Sequence, residues 1–143
     1  MDWIADRLKE KKFPAPLKND LIQLVTTVLN SSGLPNDQSV NSTKIFPHIL
    51  LKARFSGIET KRVAIECLCV LVSVSHVEAL RQLAEENSVM EILIYSFELG
   101  LDLDLAFKVL SAIVIIINLN IKYLEHAHRH DFFQILQRCE AQH

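Results

Sequence analysis

The sequence contains few residues that break or turn a chain: three glycines and four prolines among 143 residues. A β-sandwich or β-barrel needs a turn signal about every 10 residues, which this chain cannot supply. Hydrophobic residues make up 50% of the sequence, too many for a disordered chain. These features favour an all-α fold, and the length fits a single domain over residues 1–143.

The chain also lacks an excess of charge of one sign. Lys and Arg number 15 and Asp and Glu number 17, which gives a formal net charge of -2. The domain as a whole therefore has no strong electrostatic attraction for nucleic acid or for an anionic membrane. A nucleic-acid binder would need Lys9, Lys11, Lys12 and Lys18 to form one patch, and we expect no nucleic acid as a partner.

Long apolar runs are absent as well. The longest, residues 109–117, is interrupted only by Ser111 and is far shorter than the roughly 20 residues that span a bilayer. The charged segment MDWIADRLKEKK has no apolar core of the kind that a signal peptide needs. We therefore expect no membrane partner and an intracellular protein of the cytoplasm or nucleus.

Residues that often carry catalysis do not stand in recognisable settings. Three glycines form neither a phosphate-binding loop nor a Gly-x-Ser-x-Gly turn. Cys67 and Cys69 point to different faces of a predicted helix, and Cys139 leaves an odd number, so no disulfide framework follows. We expect no enzyme, no catalytic residue and no cofactor.

Apolar spacing and chain breakers predict a series of helices. The predicted helices are 2–12, 17–29, 44–54, 59–75, 77–86, 88–99, 102–117, 120–128 and 131–138. Gly57 and Gly100 are expected to close helices in the left-handed conformation. Ser88 and Asp131, each followed three residues later by Glu or Gln, predict capping boxes. The polar segment 30–43, NSSGLPNDQSVNST, is predicted to be a loop.

Two ten-residue stretches align without a gap at an offset of 42. They are residues 63–72, VAIECLCVLV, and residues 105–114, LAFKVLSAIV. Residues 89–93 match residues 132–136 at an offset of 43, and Gly57 and Gly100 are also 43 apart. A fixed period of about 40 residues is typical of stacked helical repeats.

The predicted unit consists of a short helix (77–86), a second helix (88–99) and a long third helix (102–117). This unit resembles the armadillo repeat, with the two-helix HEAT repeat as a near relative, over about residues 17–140. The resemblance implies a right-handed α-solenoid of about three repeats with incomplete terminal units, and loop 30–43 would be an insertion between units.

Armadillo repeats that bind extended peptides carry an asparagine on the third helix. The matching positions in this sequence are Val70 and Ala112, and neither side chain can hold a peptide backbone. This departure from the family pattern favours a groove for an amphipathic helix or a folded domain instead.

Polar side chains on the two long helices form the predicted partner-binding surface. The set comprises Arg62, Glu66 and Ser73 on one helix and Asp104, Lys108, Ser111 and Ile115 on the other. Their spacings place each group on one helix face, and stacking would bring Glu66 close to Lys108. Solvation of two ordinary helix faces is the alternative explanation. We expect a non-catalytic scaffold whose concave face binds a protein partner.

The last predicted unit lacks its third helix. Its apolar residues Phe132, Phe133, Ile135 and Leu136 would then be partly uncovered. The chain is either a fragment, a solenoid with an atypical cap, or a module with an open docking end. The alternative function is accordingly homo-oligomerisation or assembly through this C-terminal face.

Three histidines alternate with other residues near the end of a predicted helix. His126 and His130 are four residues apart and would share a helix face, a spacing that can hold zinc. Asp131 is a predicted helix cap, however, so the run crosses a helix end. A third metal ligand would have to be His128, Cys139 or Asp131. We predict a solvated helix end and no metal, because histidines suit the negative end of the helix dipole.

Overall fold

The computed structural model describes residues 2–10, 14–32, 45–75, 77–86 and 88–141. Over these residues the protein is all-helical and contains no strand, which confirms the predicted all-α class. The α-helices are α1 (Asp2–Lys9), α2 (Ala15–Ser32), α3 (Ile45–Phe55), α4 (Ile58–Val74), α5 (Val77–Arg81), α6 (Val89–Ser96), α7 (Leu103–Ile117), α8 (Ile121–Arg129) and α9 (Phe132–Ala141). A π-helical turn, Gln82–Glu86, follows α5, and a 3₁₀ turn, Phe97–Leu99, follows α6. None of these helices is both long and apolar enough to cross a membrane.

The start of the predicted loop is wrong. Helix α2 runs to Ser32, so Asn30 belongs to a helix and not to the loop 30–43. Residues 33–43 of that predicted loop lie outside the described residues. The apolar positions Val25 and Leu29 are buried, and their packing carries the helix beyond the point where the polar composition suggested an end.

The helix ends show which capping predictions are correct. Gly100 has φ of 69° and ends the 3₁₀ turn in the left-handed conformation, as expected. The same prediction for Gly57 is wrong, because Gly57 has φ of −63° and ψ of 165° and starts α4 from an extended backbone. The side chain of Asp102, at the start of α7, accepts a hydrogen bond from the Leu105 N–H at 2.8 Å.

The capping box predicted at Ser88 is also wrong. Ser88 has φ of 54° and its side chain makes no capping hydrogen bond, because a cap requires the extended backbone that Ser88 does not adopt. Asp131 has φ of 57°, and these two are the positive-φ residues other than glycine among the described residues. Each directly precedes a helix, α6 or α9, so the same backbone turn occurs at two positions 43 residues apart.

Helix α4 lies at the centre of the core. It packs against α2, α3 and α7, and α7 also packs against α6 and α8. Its buried residues are Ala64, Ile65, Cys67, Leu68, Cys69, Val70, Leu71 and Val72. The repeated stretch 63–72 is therefore apolar on most sides because neighbouring helices cover most of its faces.

The predicted exposure of the C-terminal face is wrong for two of its four residues. Phe132 is 4% exposed and Ile135 is 2% exposed, because α9 packs on α6 and on the 3₁₀ turn that follows it. The rings of Phe132 and Phe97 meet edge to face with centroids 6.3 Å apart. Leu136 is partly buried against the core, and Phe133 is 45% exposed.

Candidate functional site

The predicted pairing of Glu66 with Lys108 is present in the structure. Lys108 Nζ on α7 donates a hydrogen bond to Glu66 Oε1 on α4 at 2.8 Å. This hydrogen bond is the largest cause of a raised pKa for Lys108. Both side chains remain partly exposed, so the ion pair contributes only about 0.2–1 kcal/mol to stability. The ion pair therefore places one positive and one negative charge where α4 and α7 meet.

A groove of about 310 Å³ lies beside this ion pair, between α4 and α7. We call it the α4–α7 groove; it is lined by Asn30, Cys69, Val70, Ser73, Phe107, Lys108, Ser111, Ala112 and Ile115. Four residues of the predicted binding surface are among them: Ser73, Lys108, Ser111 and Ile115.

Arg62 and Asp104 do not line the groove. The Arg62 guanidinium donates to the carbonyl oxygens of Leu99 and Gly100 at 3.2 and 3.1 Å. These carbonyls follow the last turn before α7, so Arg62 satisfies acceptors at a helix end. Asp104 is exposed in the first turn of α7, where a negative charge is favourable. The structure thus gives both residues a local role within the fold.

Val70 and Ala112 both line the groove and are buried. Neither offers a side-chain hydrogen-bonding group. The floor of the groove at these two positions is therefore apolar.

The thiol of Cys69, also in the groove, is not chemically activated. Burial raises the pKa of Cys69 to about 12, and the nearby Glu66 carboxylate adds to the rise. Burial likewise raises the pKa of Cys67 to about 11. A nucleophilic cysteine needs the opposite shift, toward the thiolate at neutral pH. Cys69 was not among the predicted binding residues, and here it acts as a small apolar side chain.

Phe107 and Asn30 are groove residues that the sequence prediction missed. Phe107 is 59% exposed, although its aromatic ring would be expected inside the protein. Its spacing, three residues after Asp104 and four before Ser111, places it on the same face of α7 and was the available signal. Asn30 lies on α2, about 40 residues before the groove residues of α4. The sequence pattern assigned it to a loop. No local pattern could have placed it here.

The histidine run crosses the end of α8, as predicted, because α8 ends at Arg129 and His130 is the C-cap residue, with φ of −94° and ψ of 20°. The His130 N–H still donates to the carbonyl oxygens of His126 and Ala127 at 3.3 and 3.2 Å. The rings of His126 and His130 lie 4.6 Å apart between centroids. The two imidazole rings therefore stay adjacent across the helix end.

Searches against known protein families, curated proteins and solved structures found no match to this chain.

Proposed function

We propose that this protein is a non-catalytic protein-binding scaffold, built as a right-handed α-solenoid of armadillo or HEAT-like repeats. Three polar contacts join residues about one predicted repeat apart. They are Asn19–Thr60, Glu66–Lys108 and Glu98–Arg138, with sequence separations of 41, 42 and 40 residues. Such contacts are expected when each unit stacks on the next one along the chain. The positive-φ turns at Ser88 and Asp131 support the same equivalence.

The α4–α7 groove is the observation that carries the binding proposal. Its floor is apolar at Val70 and Ala112, its outer edge carries the exposed ring of Phe107, and its polar edge carries the Glu66–Lys108 ion pair. An amphipathic helix has the matching pattern, with one apolar face and charged flanks. We therefore propose a helix, presented alone or on a folded domain, as the occupant of the concave face.

The proposal assigns no catalytic role to the groove, because its one thiol has a pKa of about 12 and is neutral at physiological pH. All three cysteines are free and buried. Free thiols are ordinary in a reducing compartment, which agrees with a location in the cytoplasm or nucleus.

A library of displayed amphipathic helical peptides tests this function. Peptides selected on the wild-type chain should bind Ser111→Arg at least about tenfold more weakly, because the arginine occupies the groove. Gln137→Arg introduces the same side chain at an exposed position on α9 and should bind like wild type. Both substitutions are at exposed positions, so thermal unfolding should change little. Selected peptides that bind Ser111→Arg as tightly as wild type would contradict the proposal.

Self-assembly stays the alternative function, but through a smaller exposed surface than the sequence predicted. Phe132 and Ile135 are buried within the chain, so the exposed apolar surface near α9 consists mainly of Phe133 and Leu124. These two line a depression of about 430 Å³ together with Glu125, His128 and Arg129. Light scattering on wild type and on Phe133→Asp decides between the two functions. A dimer that dissociates on substitution supports assembly, whereas a monomer in both samples supports the groove.

A further inference from the structure

We infer that Glu91, His126 and His130 form a Zn²⁺ site. One ligand atom from each residue, a carboxylate oxygen or an imidazole nitrogen, can be chosen so that all three lie within 4.8 Å of one another. This set differs from the third ligands considered from the sequence, because Glu91 lies on α6, 35 residues before His126. The site is separate from the α4–α7 groove and does not depend on the proposed function.

Helix α8 and the turn after it place the two histidines. Their spacing of four residues puts them on one helix face, and the hydrogen bonds from the His130 N–H keep the last turn closed. The left-handed residue that reverses the chain, Asp131, comes only after His130. The reversal therefore leaves the two-histidine geometry intact.

Glu91 already lies at a distance that suits a shared metal. Its Oε1 is 3.1 Å from His130 Nε2. Ligand atoms about 2.0 Å from a tetrahedral zinc are separated from each other by about 3.3 Å. The widest separation in the cluster needs to close by no more than about 1.5 Å, which side-chain rotation can provide. Zinc binding therefore requires no rearrangement of α6 or α8.

The second ring nitrogen of His130 also has a partner. His130 Nδ1 lies 3.2 Å from the Tyr95 hydroxyl oxygen, and the two rings meet edge to face at 5.8 Å. When Nε2 binds zinc, Nδ1 carries the hydrogen and donates it to the Tyr95 hydroxyl oxygen. Histidines that bind zinc almost always use the second nitrogen in this way, which fixes both the tautomer and the ring orientation.

The ligand set favours a first-row transition metal such as Zn²⁺ over Ca²⁺ and Mg²⁺. Two imidazoles and one carboxylate suit Zn²⁺, whereas Ca²⁺ and Mg²⁺ prefer sites made of oxygen atoms alone. Three protein ligands leave a fourth position for water. All three side chains are only partly buried, so the ion has access to them. The bound ion would tie α6 to the end of α8 and stabilise the contact between them.

Titration of the whole chain with ZnCl₂, in the presence of a reductant that does not bind metal, tests the site. We expect one equivalent of zinc per chain, and a melting temperature about 5–10 °C higher at a hundredfold excess over Kd. Glu91→Gln, His126→Gln and His130→Gln should each weaken binding by more than about tenfold. His128→Gln is the matched control, because His128 belongs to the same run but is outside the cluster, so its zinc affinity should equal that of wild type.

A variant of the residue that contacts His130, and a spectroscopic measurement, complete the test. Tyr95→Phe removes the partner of His130 Nδ1 and should weaken zinc binding about 10-fold to 100-fold. If a ligand variant does not fold, the Co²⁺-substituted wild-type chain still reports the site, through the visible absorption of four-coordinate cobalt bound to nitrogen and oxygen. Failure of the wild-type chain to bind zinc would overturn the inference. Unchanged affinity in all three ligand variants, or equal loss in His128→Gln, would do so too.

Discussion

The contact between α4 and α7 and the contact between α6 and α9 use side chains of different size. Between α4 and α7, small side chains such as Ser73, Ser111 and Ala112 leave a groove of about 310 Å³. Where α9 packs on α6 and on the 3₁₀ turn after it, Phe132 of α9 meets Phe97 of that turn edge to face. Small residues along a helix contact therefore leave unfilled space, whereas large aromatic residues fill such space with the chain's own side chains.

The largest effect is expected at two adjacent phenylalanines that differ in burial. Phe132→Ala should lower the free energy of unfolding by about 3–5 kcal/mol, because the substitution leaves a cavity between α6 and α9. Phe133→Ala should lower it by no more than about 1 kcal/mol, since the side chain is 45% exposed. Urea unfolding of both variants measures the difference. Equal losses would mean that α9 does not pack as described.

The two buried thiols of α4, Cys67 and Cys69, predict that stability depends on alkaline pH. The pKa is about 11 for Cys67 and about 12 for Cys69 in the folded chain, against an ordinary value of 9.0. The folded chain therefore keeps protons that the unfolded chain releases, so stability falls as pH rises above about 9. Each thiol contributes a slope of at most about 1.4 kcal/mol per pH unit between its unfolded and folded pKa.

Urea unfolding from pH 8 to pH 10.5 measures this slope for wild type and for Cys67→Ala with Cys69→Ala. The slope between pH 9 and 10.5 should be smaller in the double variant, whatever its stability at pH 8. Identical slopes in the two proteins would show that the thiols are not buried in this way.

A smaller effect on the free energy of unfolding is expected at two exposed ion pairs, one at each of the two helix contacts. Lys108–Glu66 joins α7 to α4, and Arg138–Glu98 joins α9 to the 3₁₀ turn. A double-mutant cycle on each pair, with Glu→Gln and Lys→Met or Arg→Met, should give a coupling energy of about 0.2–1 kcal/mol that decreases with added salt. A coupling energy well above this range at Lys108–Glu66 would mean that the ion pair makes a substantial contribution to the stability of the fold.

The sequence alone predicted the features that depend on local patterns. Apolar spacing and breakers predict the helices, and the offset of 42 predicts that Glu66 lies opposite Lys108, as the structure shows. A repeated helix carries its polar positions to the same face each time, so the pairing follows from alignment alone.

Features that depend on contacts between distant segments could not be predicted. The sequence gives no sign that α9 folds back on Phe97, so Phe132 and Ile135 were assigned to an open face. Glu91 lies too far along the chain from His126 for any spacing rule to connect them. The left-handed backbone of Ser88 likewise reflects a tight turn between helices and not its own preference.

The most direct test of the central claim is NMR mapping of a selected helical peptide on the isotope-labelled chain. The account predicts that the largest amide shift changes occur along the α4–α7 groove, at Ser73, Ser111 and Ile115. Changes confined to the surface around Leu124 and Phe133 would contradict it and place the binding surface at the C-terminal face.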